Sequence, residues 1–284
     1  MTEPPPGFRY IDVHTHLHPE WLFRAIRRWF AERSNWTLRS PTDPALVAGF
    51  LRERGVERFL YFSYAHKPGI ARDINAWLHA TRARVPGGLP LGTIHPDDPD
   101  MLEVAEEALT DYGFQGFKLH INVQRFFPDD PRVMPVYERL LALDRLLLIH
   151  VGSAPWPNGF DGFPAFARVM ERFPGLKVIV AHMGSFETRE FFALMERCPN
   201  LYLDTTMAFA PFRAEHQGLS NINQIEVSND DLLQWQDRIL FGSDFPNLPW
   251  PYEDERQALW MRDLPLAVYR KLFFDNAARL LGPP

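Results

Sequence analysis

Short apolar segments alternate with helical patterns along nearly the whole chain, and this alternation constrains the fold most. Eight segments have the composition of buried strands: 10–16, 58–65, 91–96, 116–121, 146–152, 177–184, 201–207 and 239–246. Helical patterns lie between them at 21–34, 44–54, 72–84, 99–111, 132–144, 163–173 and 187–197. Such alternation predicts a parallel sheet. Eight repeats in 284 residues favour closure into a (β/α)8 TIM barrel. We therefore predict one α/β domain over residues 1–284.

Two connections are longer than a simple β-α unit needs. Residues 17–57 follow the first strand and are expected to form a small insertion of two helices, whereas 208–231 follow the seventh strand. Long loops after barrel strands lie on the active face, so both are candidate lids. The last helical pattern, 266–281, is expected to cover the outside of the barrel.

Composition narrows the class of partner. The net charge of −6 argues against general nucleic-acid binding, and no glycine-rich dinucleotide fingerprint follows the first strand. Cys198 is the single cysteine, so no internal disulfide forms. Neither a secretory signal nor an 18-residue apolar run is present, so a cytoplasmic protein without membrane contact is expected. A small-molecule substrate fits best, and the aromatic content of 14% suits a homodimer interface as well as a pocket.

Five polar residues end the predicted strands. His14 and His16 end the first, His150 the fifth, His182 the sixth and Asp244 the eighth. Parallel barrel strands bring their carboxyl ends to one face, where imidazoles and a carboxylate build a divalent-metal site. The alternatives are hydrogen-bonded core histidines and an aspartate that caps a turn. The shared position on successive strands favours the metal site.

Side-chain alternation assigns faces to the first strand. His14 and His16 are two residues apart and should both point into the barrel, with Ile11 and Val13 facing the helices. Asp12 is expected to point inward one layer below the site as a structural carboxylate. His18 lies beyond the strand and is expected to be an ordinary loop histidine. Asp244 adjoins the first strand on closure and is a candidate both for metal binding and for proton transfer.

The chain resembles the amidohydrolase superfamily, and within it the group that includes aminocarboxymuconate-semialdehyde decarboxylase. The resemblance rests on six segments: Asp12–His16, Lys118–His120, His150–Gly152, Ala181–Gly184, Gly242–Pro246 and Asn276–Leu280. It implies that His14, His16, His150 and Asp244 ligate a divalent ion, most consistently zinc. It further implies that His182 activates or orients water, or polarises the substrate.

Lys118 ends the fourth strand with the same parity as His120, so both should point inward. In parts of the superfamily a carbamylated lysine here bridges two metals, whereas an unmodified lysine places a cation beside the substrate. Lys118 and His182 are therefore candidates for a second metal or for substrate. The sequence favours one ion over two.

Further residues after the strands are candidates for substrate binding. Arg125, Arg213 and His66 offer cations for a substrate carboxylate. Aromatic residues in the loops after strands 5 and 7 are candidates for a pocket lining: Trp156, Phe160, Phe163, Phe209 and Phe212. The alternatives are solvated loop residues and lid packing.

Three functions follow from this pattern. The first is a metal-dependent hydrolase that adds water to an ester, lactone or amide. The second is a metal-dependent, non-oxidative decarboxylase of a small carboxylic acid, aromatic acids included. The third is a barrel that binds a ligand without catalysis. Released CO₂ distinguishes the second from the first, and absence of metal identifies the third.

Overall fold

Eight parallel strands form the centre of the molecule. A computed structural model describes residues 4–33, 36–38, 40–153, 158–160, 162–210 and 226–283. The strands are β1 Tyr10–His16, β2 Val56–Phe62, β3 Gly88–Leu91, β4 Gly116–His120, β5 Leu146–His150, β6 Lys177–Val180, β7 Leu201–Asp204 and β8 Ile239–Leu240. All eight predicted strands are present. Seven end earlier than predicted, because their last residues leave the ladder and enter the loops of the polar face.

The strands close into a barrel, as predicted. They pair in the order β1-β2-β3 and β4-β5-β6-β7-β8. Two single parallel bridges, Gly92 to Phe117 and Thr15 to Phe245, join these groups at both edges. The Val13 amide also donates to the Phe241 carbonyl at 2.9 Å. The fold class is therefore the predicted (β/α)8 barrel, whereas the assignment of 1–284 to one domain stays a prediction.

Helices separate the strands. They are α1 Glu20–Arg33, α2 Pro44–Glu53, α3 Ala71–Thr81, α4 Met101–Glu106, α5 Ile121–Gln124, α6 Met134–Ala142, α7 Phe163–Arg172, α8 Thr188–Met195, α9 Asn229–Gln234, α10 Tyr252–Trp260, α11 Leu266–Arg270 and α12 Asn276–Leu281. The predicted insertion after β1 consists of α1 and α2. Asp43 caps α2 by accepting from the amides of Ala45 and Leu46, and Pro44 occupies the first turn. No helix within the described ranges is long and apolar enough to cross a membrane.

An apolar cluster fills the lower barrel interior and corrects the prediction for the first strand. Its members come from six strands and the C-terminal segment: Ile11, Val13, Leu60, Phe62, Leu91, Leu146, Leu148, Ile179, Ala181, Leu240 and Ala277. Ile11 and Val13 therefore face inward, not toward the helices. The register of β1 shifts between Asp12 and Thr15, which resets the alternation so that His14 and His16 also face the interior.

Asp12 consequently lies on the other side of β1 from the prediction. Its carboxylate accepts from the amides of His14 and Ser243 at 3.1 and 3.2 Å, and from the Tyr252 hydroxyl at 3.3 Å. Tyr252 belongs to α10, so Asp12 joins β1 to the outer layer. Burial raises the pKa of Asp12 to about 7. Asp12 is a structural carboxylate, as predicted, but its side chain points toward the outer layer and not into the barrel.

The C-terminal segment was predicted as one helix on the outside of the barrel, and this is only partly right. Val268 and Tyr269 pack in the outer layer. After a π-helical turn at Lys271–Asp275, however, α12 packs Ala277 and Leu280 against the interior cluster. Because Leu89 and Leu146 of that cluster lie at strand starts, α12 closes the amino end of the barrel.

Candidate metal centre

Three ligand-type side chains meet at the carboxyl end of β1 and the segment after β8. The Oδ1 atom of Asp244 lies 3.0 Å from His14 Nε2 and 3.1 Å from His16 Nε2. All three side chains are buried, and their ligand atoms lie within 4.8 Å of one another. Asp244 adopts φ 68°, and its amide donates to the His14 carbonyl at 2.8 Å. This backbone conformation directs the carboxylate toward the two imidazoles.

Asp204, at the end of β7, fixes the tautomer of His14. Its Oδ2 lies 2.7 Å from His14 Nδ1, and a carboxylate can only accept, so Nδ1 carries the proton. The Nε2 of a neutral His14 is then an unprotonated acceptor that faces the acceptor Oδ1 of Asp244. A divalent cation between these two atoms would be ligated by both of them. The donor set of two neutral imidazoles and a carboxylate suits zinc and other late divalent ions.

His182 reaches the site by a route that the strand pattern does not predict. We expected β6 to continue to Gly184, but it ends at Val180, and His182 and Met183 have φ 57° and 53°. The left-handed turn brings into the site a ring that simple alternation would direct outward. The His182 amide donates to Asp204 Oδ1 at 2.9 Å, and its Nδ1 donates to the Thr206 carbonyl at 3.1 Å. His182 thereby presents Nε2 to the cavity.

The imidazoles form a continuous row across the barrel mouth. Successive ring centroids are separated by 5.3 Å from His16 to His14, 5.2 Å to His182, 4.8 Å to His150 and 4.0 Å to His120. We call these five residues the histidine row. The His150 ring neighbours the His182 ring, which in turn neighbours His14. His150 is therefore separated from the group of His14, His16 and Asp244 by one ring. Its assignment as a ligand stays a prediction.

Close approach of two loops explains how His150 and His182 come together. Gly152 follows β5, and a Cβ added there would lie 2.6 Å from the Gly184 carbonyl oxygen. Only a glycine allows the turn after β6 to pack this tightly against the end of β5. The pairing of His120 with His150 in the β4-β5 register places the third ring beside them.

Lys118 contributes a cation to the same cavity. Its side chain is buried, and Nζ lies 5.0 Å from the centre of the Phe62 ring. Burial lowers the pKa of Lys118 to about 8, against the opposing effect of Asp204 and Asp244. Lys118 and His120 both point inward, as predicted from their parity.

Burial dominates the electrostatics of the site. It lowers the pKa of His14 and His16 well below the usual range, and the Lys118 charge acts in the same direction. Burial likewise lowers the pKa of His182, where the charge of His150 adds to the effect. It raises the pKa of Asp244, whereas the bond to His14 opposes this. Neutral imidazoles are the form that ligates metal.

A cavity of about 1060 Å³ opens above the histidine row. Helix α1 of the insertion forms one wall through Leu22, Ile26 and Trp29, so this predicted lid does border the cavity. His66 and Arg125 line the cavity too. Trp156, Arg213 and Phe212 lie outside the described residues, as does 211–225 of the second predicted lid.

The aromatic wall differs from the predicted one. It consists of Trp29, Phe30, Trp36 and Tyr64. Phe163 instead packs edge-on against Phe191, with 5.0 Å between ring centroids. Phe209 lies under the Arg262 guanidinium. The loop after β1 thus supplies most of the aromatic surface that we expected from the loops after β5 and β7.

Sequence reasoning missed three features of the site. Asp204 ends an apolar run, as His150 does, and this signal could have identified it. His120 was predicted to point inward but was given no role in the site, although it precedes His150 by one β-α unit. His18 was expected to be an ordinary loop histidine, and it does follow β1, but it is buried beside the site, with Nδ1 2.8 Å from Ser63 Oγ.

Comparison with known proteins decides the family. The sequence profile of the amidohydrolases matches residues 11–282. The chain belongs to the amidohydrolase family. It is therefore an enzyme of a family that builds metal sites in TIM barrels, and the predicted resemblance is confirmed.

Three solved structures of similar fold put the amidohydrolase family in context. A Burkholderia multivorans amidohydrolase with bound zinc is 20% identical, with 98% of this chain and 100% of that chain covered and a TM-score of 0.68. The 5-carboxyvanillate decarboxylase of Sphingomonas paucimobilis is 19% identical, with 96% and 98% covered and a TM-score of 0.65. The 5-carboxyvanillate decarboxylase of Novosphingobium aromaticivorans, complexed with manganese and 4-hydroxy-3-methoxy-5-nitrobenzoic acid, is 15% identical, with 97% and 96% covered and a TM-score of 0.64.

Proposed function

We propose that this amidohydrolase is a metal-dependent hydrolase that adds water to a carbonyl group of a small ester, lactone or amide. The contact that carries the proposal is the approach of Asp244 Oδ1 to His14 Nε2 and His16 Nε2, at 3.0 and 3.1 Å. We assign one divalent ion, preferably zinc, to His14, His16, His150 and Asp244. An ion held there supplies Lewis acidity toward water and toward a carbonyl oxygen.

The residues of the chain have distinct tasks in this proposal. Asp244 accepts the proton of the attacking water at its carboxylate, which burial makes more basic than an exposed aspartate. Asp204 holds His14 through Nδ1, and the Thr206 carbonyl holds His182 through Nδ1. His182 Nε2 carries no proton in this tautomer, so it can accept a hydrogen bond that orients the attacking water, and Asp244 then passes the proton on to the leaving oxygen or nitrogen. The products are a carboxylic acid and an alcohol or amine.

Lys118 is assigned to the substrate and not to a second ion. Its ammonium shares the cavity with the histidine row, so it can pair with a developing negative charge. The carbamylated form would instead bridge two ions. Lys118→Ala should therefore leave about one equivalent of metal per chain. A fall from two equivalents to one in this variant would establish the two-ion centre in its place.

Decarboxylation is the second candidate. Solved structures of the same fold bear the names of decarboxylases, and Lys118 provides a cation for a carboxylate deep in the cavity. In this version the carboxyl group of Asp244, whose pKa is raised by burial, protonates the carbon that loses CO₂. Membership of an enzyme family argues against the third prediction, a barrel without catalysis.

The test combines metal analysis with product analysis. Protein purified without added metal should contain about one equivalent of zinc or manganese by inductively coupled plasma mass spectrometry. His14→Ala and His150→Ala should lose it, whereas the surface variant His79→Ala should not. Turnover of ester, lactone and amide panels in ¹⁸O-water should place ¹⁸O in the acid product. No metal after incubation with Zn²⁺ or Mn²⁺ would refute the proposal, and CO₂ release without ¹⁸O would favour decarboxylation.

A further inference from the structure

A group of cationic and hydrogen-bonding side chains lines the cavity apart from the histidine row. It consists of His66 and Lys67 after β2, His95 after β3 and Arg125 after α5. None of them is a metal-ligand candidate in the proposed function. We propose that these four residues form an anion subsite, which holds a carboxylate on the substrate end opposite the reacting carbonyl. This inference rests on the proposed function, because it takes the reacting end to lie at the histidine row.

Arg125 is placed at the cavity by a strained and well-anchored turn. Its backbone adopts φ 58° and ψ 55°, a left-handed conformation that is unusual for arginine. The preceding Gln124 donates from Nε2 to the Ile94 carbonyl at 2.6 Å and accepts the His120 amide at 2.8 Å. These bonds tie the turn after β4 to the residue before His95. They bring Arg125 and His95 to the same side of the cavity.

His95 presents a donor to the cavity. The Asp97 amide donates to His95 Nδ1 at 3.2 Å, so the proton of the neutral ring lies on Nε2. His95 is buried, with 3% of its surface exposed, and it lines the cavity. An N–H directed from such a ring toward a substrate favours an acceptor such as a carboxylate oxygen. A cation would not bind to this ring, because Nδ1 already accepts the Asp97 amide and Nε2 carries the proton.

His66 adds a second polar atom without a protein partner. Its Nδ1 is buried and makes no hydrogen bond within the described part of the chain. His66 lies close enough to Lys67 and His95 that their charges lower its pKa, after the larger effect of burial. A buried ring nitrogen of this kind is expected to find its partner in a ligand or in water.

Asp97 and Asp98 lie close to His95 and oppose part of the positive charge of the subsite, with Asp97 Oδ2 3.9 Å from His95 Nδ1, but their shorter contacts are to other groups. Asp97 pairs with Arg132 at 2.5 Å, and Asp98 Oδ1 accepts the Gly69 amide at 2.6 Å. Among the described residues, neither Arg125 nor Lys67 pairs with a carboxylate. Arginine binds carboxylates through two parallel hydrogen bonds, which makes a carboxylate the ligand of choice over a neutral group. The substrate class is thus a small ester, lactone or amide that also carries a carboxylate.

The test measures preference for a second carboxylate directly. Isothermal titration calorimetry of the zinc-loaded protein would compare succinate, glutarate, adipate and pimelate with butyrate, valerate, hexanoate and heptanoate, the monocarboxylates of equal chain length that lack the second carboxylate. We expect one diacid to bind about tenfold tighter than the monocarboxylate of equal chain length, as a charge-assisted bidentate contact provides. That length reports the separation between the histidine row and the subsite. Zinc content is measured after each titration, because dicarboxylates also chelate zinc in solution.

Three variants locate the preference on the proposed residues. Arg125→Met should bind diacid and monocarboxylate about equally, with unchanged monocarboxylate affinity, whereas Arg125→Lys should keep part of the preference. Neither of these two Arg125 variants introduces glycine or proline, so the left-handed backbone at residue 125 is equally demanding in both. The control Arg52→Met, an exposed position away from the cavity, should behave as the wild type. Lys67→Met makes the same prediction with a smaller effect if Arg125→Met does not fold.

The failure modes are distinguishable. No preference for any diacid in the wild type, or a preference that survives Arg125→Met, would overturn the anion subsite and leave the metal centre untouched. An Arg125-dependent preference in a protein that fails to hydrolyse esters, lactones or amides would support the subsite and remove only the proposed function.

Discussion

The two ends of the barrel are built on opposite principles. At the amino end, apolar side chains of β1, β2, β3, β5, β6 and β8 pack with α12 into a closed cluster. At the carboxyl end, buried polar side chains lie together, with His120 and His182 partly buried beside them: His14, His16, His150, Asp204, Asp244 and Lys118. The first region gains stability from removing apolar surface from water. The second consists of buried polar groups, which destabilise a fold unless they are paired.

Backbone conformation follows the same division. Within the described part of the chain, eight non-glycine residues have positive φ, and six of them lie in loops after strands of the polar face: Arg125, His182, Met183, Ser185, Met207 and Asp244. Such conformations persist only where the surrounding structure enforces them, and they concentrate at functional sites. The comparison teaches that the apolar end stabilises the barrel while the carboxyl end uses part of that stability to hold reactive side chains.

The largest expected effect is loss of metal from the carboxyl end. His14→Ala removes an imidazole whose Nε2 faces Asp244 and whose Nδ1 binds Asp204. Metal affinity should fall by more than the roughly 10–100-fold loss that follows substitution of a residue hydrogen-bonded to a metal ligand. Competition with a fluorescent chelator measures it, with His79→Ala as the surface control. Retention of wild-type affinity would mean that the metal lies elsewhere.

A substitution at the amino end should show the reverse pattern. Leu148→Ala opens a cavity in the interior cluster, where Leu148 is fully buried, and should lower the free energy of unfolding by about 2–5 kcal/mol. Metal affinity of the folded protein should stay unchanged. Urea denaturation of the metal-free protein measures the effect. Leu46→Ala, at a side chain that is 62% exposed, should change stability by no more than about 0.5 kcal/mol. A loss of metal affinity in Leu148→Ala would break the division between the two ends.

The sequence predicts much of the fold, because strand spacing and hydrophobic alternation are local signals. All eight strands and the two helices after β1 follow from them. The signals fail where the backbone departs from regular geometry. The register shift in β1 reverses the faces of Ile11 and Val13, and no residue type in that strand marks it.

The candidate site is predictable to a similar extent. Polar residues at strand ends identify His14, His16, His150, His182 and Asp244. The left-handed turn at His182 and the bond from Asp204 to His14 depend on how distant loops pack, which spacing does not reveal. The anion subsite has the same origin, since Gln124 aligns Arg125 with His95 through contacts between separate loops.

A smaller effect tests Asp204, which hydrogen-bonds the proposed metal ligand His14. Asp204→Asn replaces the carboxylate that accepts from His14 Nδ1 at 2.7 Å and from the His182 amide at 2.9 Å. The amide still fits but binds the imidazole more weakly, so metal affinity should fall about 10–100-fold. Chelator competition measures the change, and Asp237→Asn on the surface serves as control. Unchanged affinity would show that His14 needs no partner to hold its orientation.

The smallest effect concerns pH and a carboxyl group that belongs to neither end. Glu255 is buried and accepts from Trp250 Nε1 at 2.8 Å and from the Met207 amide at 3.0 Å, which joins two residues near the cavity. Burial raises the pKa of Glu255 well above its usual value of 4.5. The folded state therefore retains a proton that the unfolded state releases as the pH rises above 4.5.

This contribution of Glu255 is fully present below pH 4.5 and is lost as the pH rises toward the raised pKa of the folded state. The slope is at most about 1.4 kcal/mol per pH unit. Glu255→Gln keeps the neutral shape without a titrating proton, so it should become more stable relative to the wild type between pH 5 and 8. Urea denaturation across this range measures the difference, and Glu138→Gln at an exposed position should show none. A constant difference between Glu255→Gln and the wild type would mean that Glu255 is ionised in the folded protein, with its charge held by Trp250 and the Met207 amide.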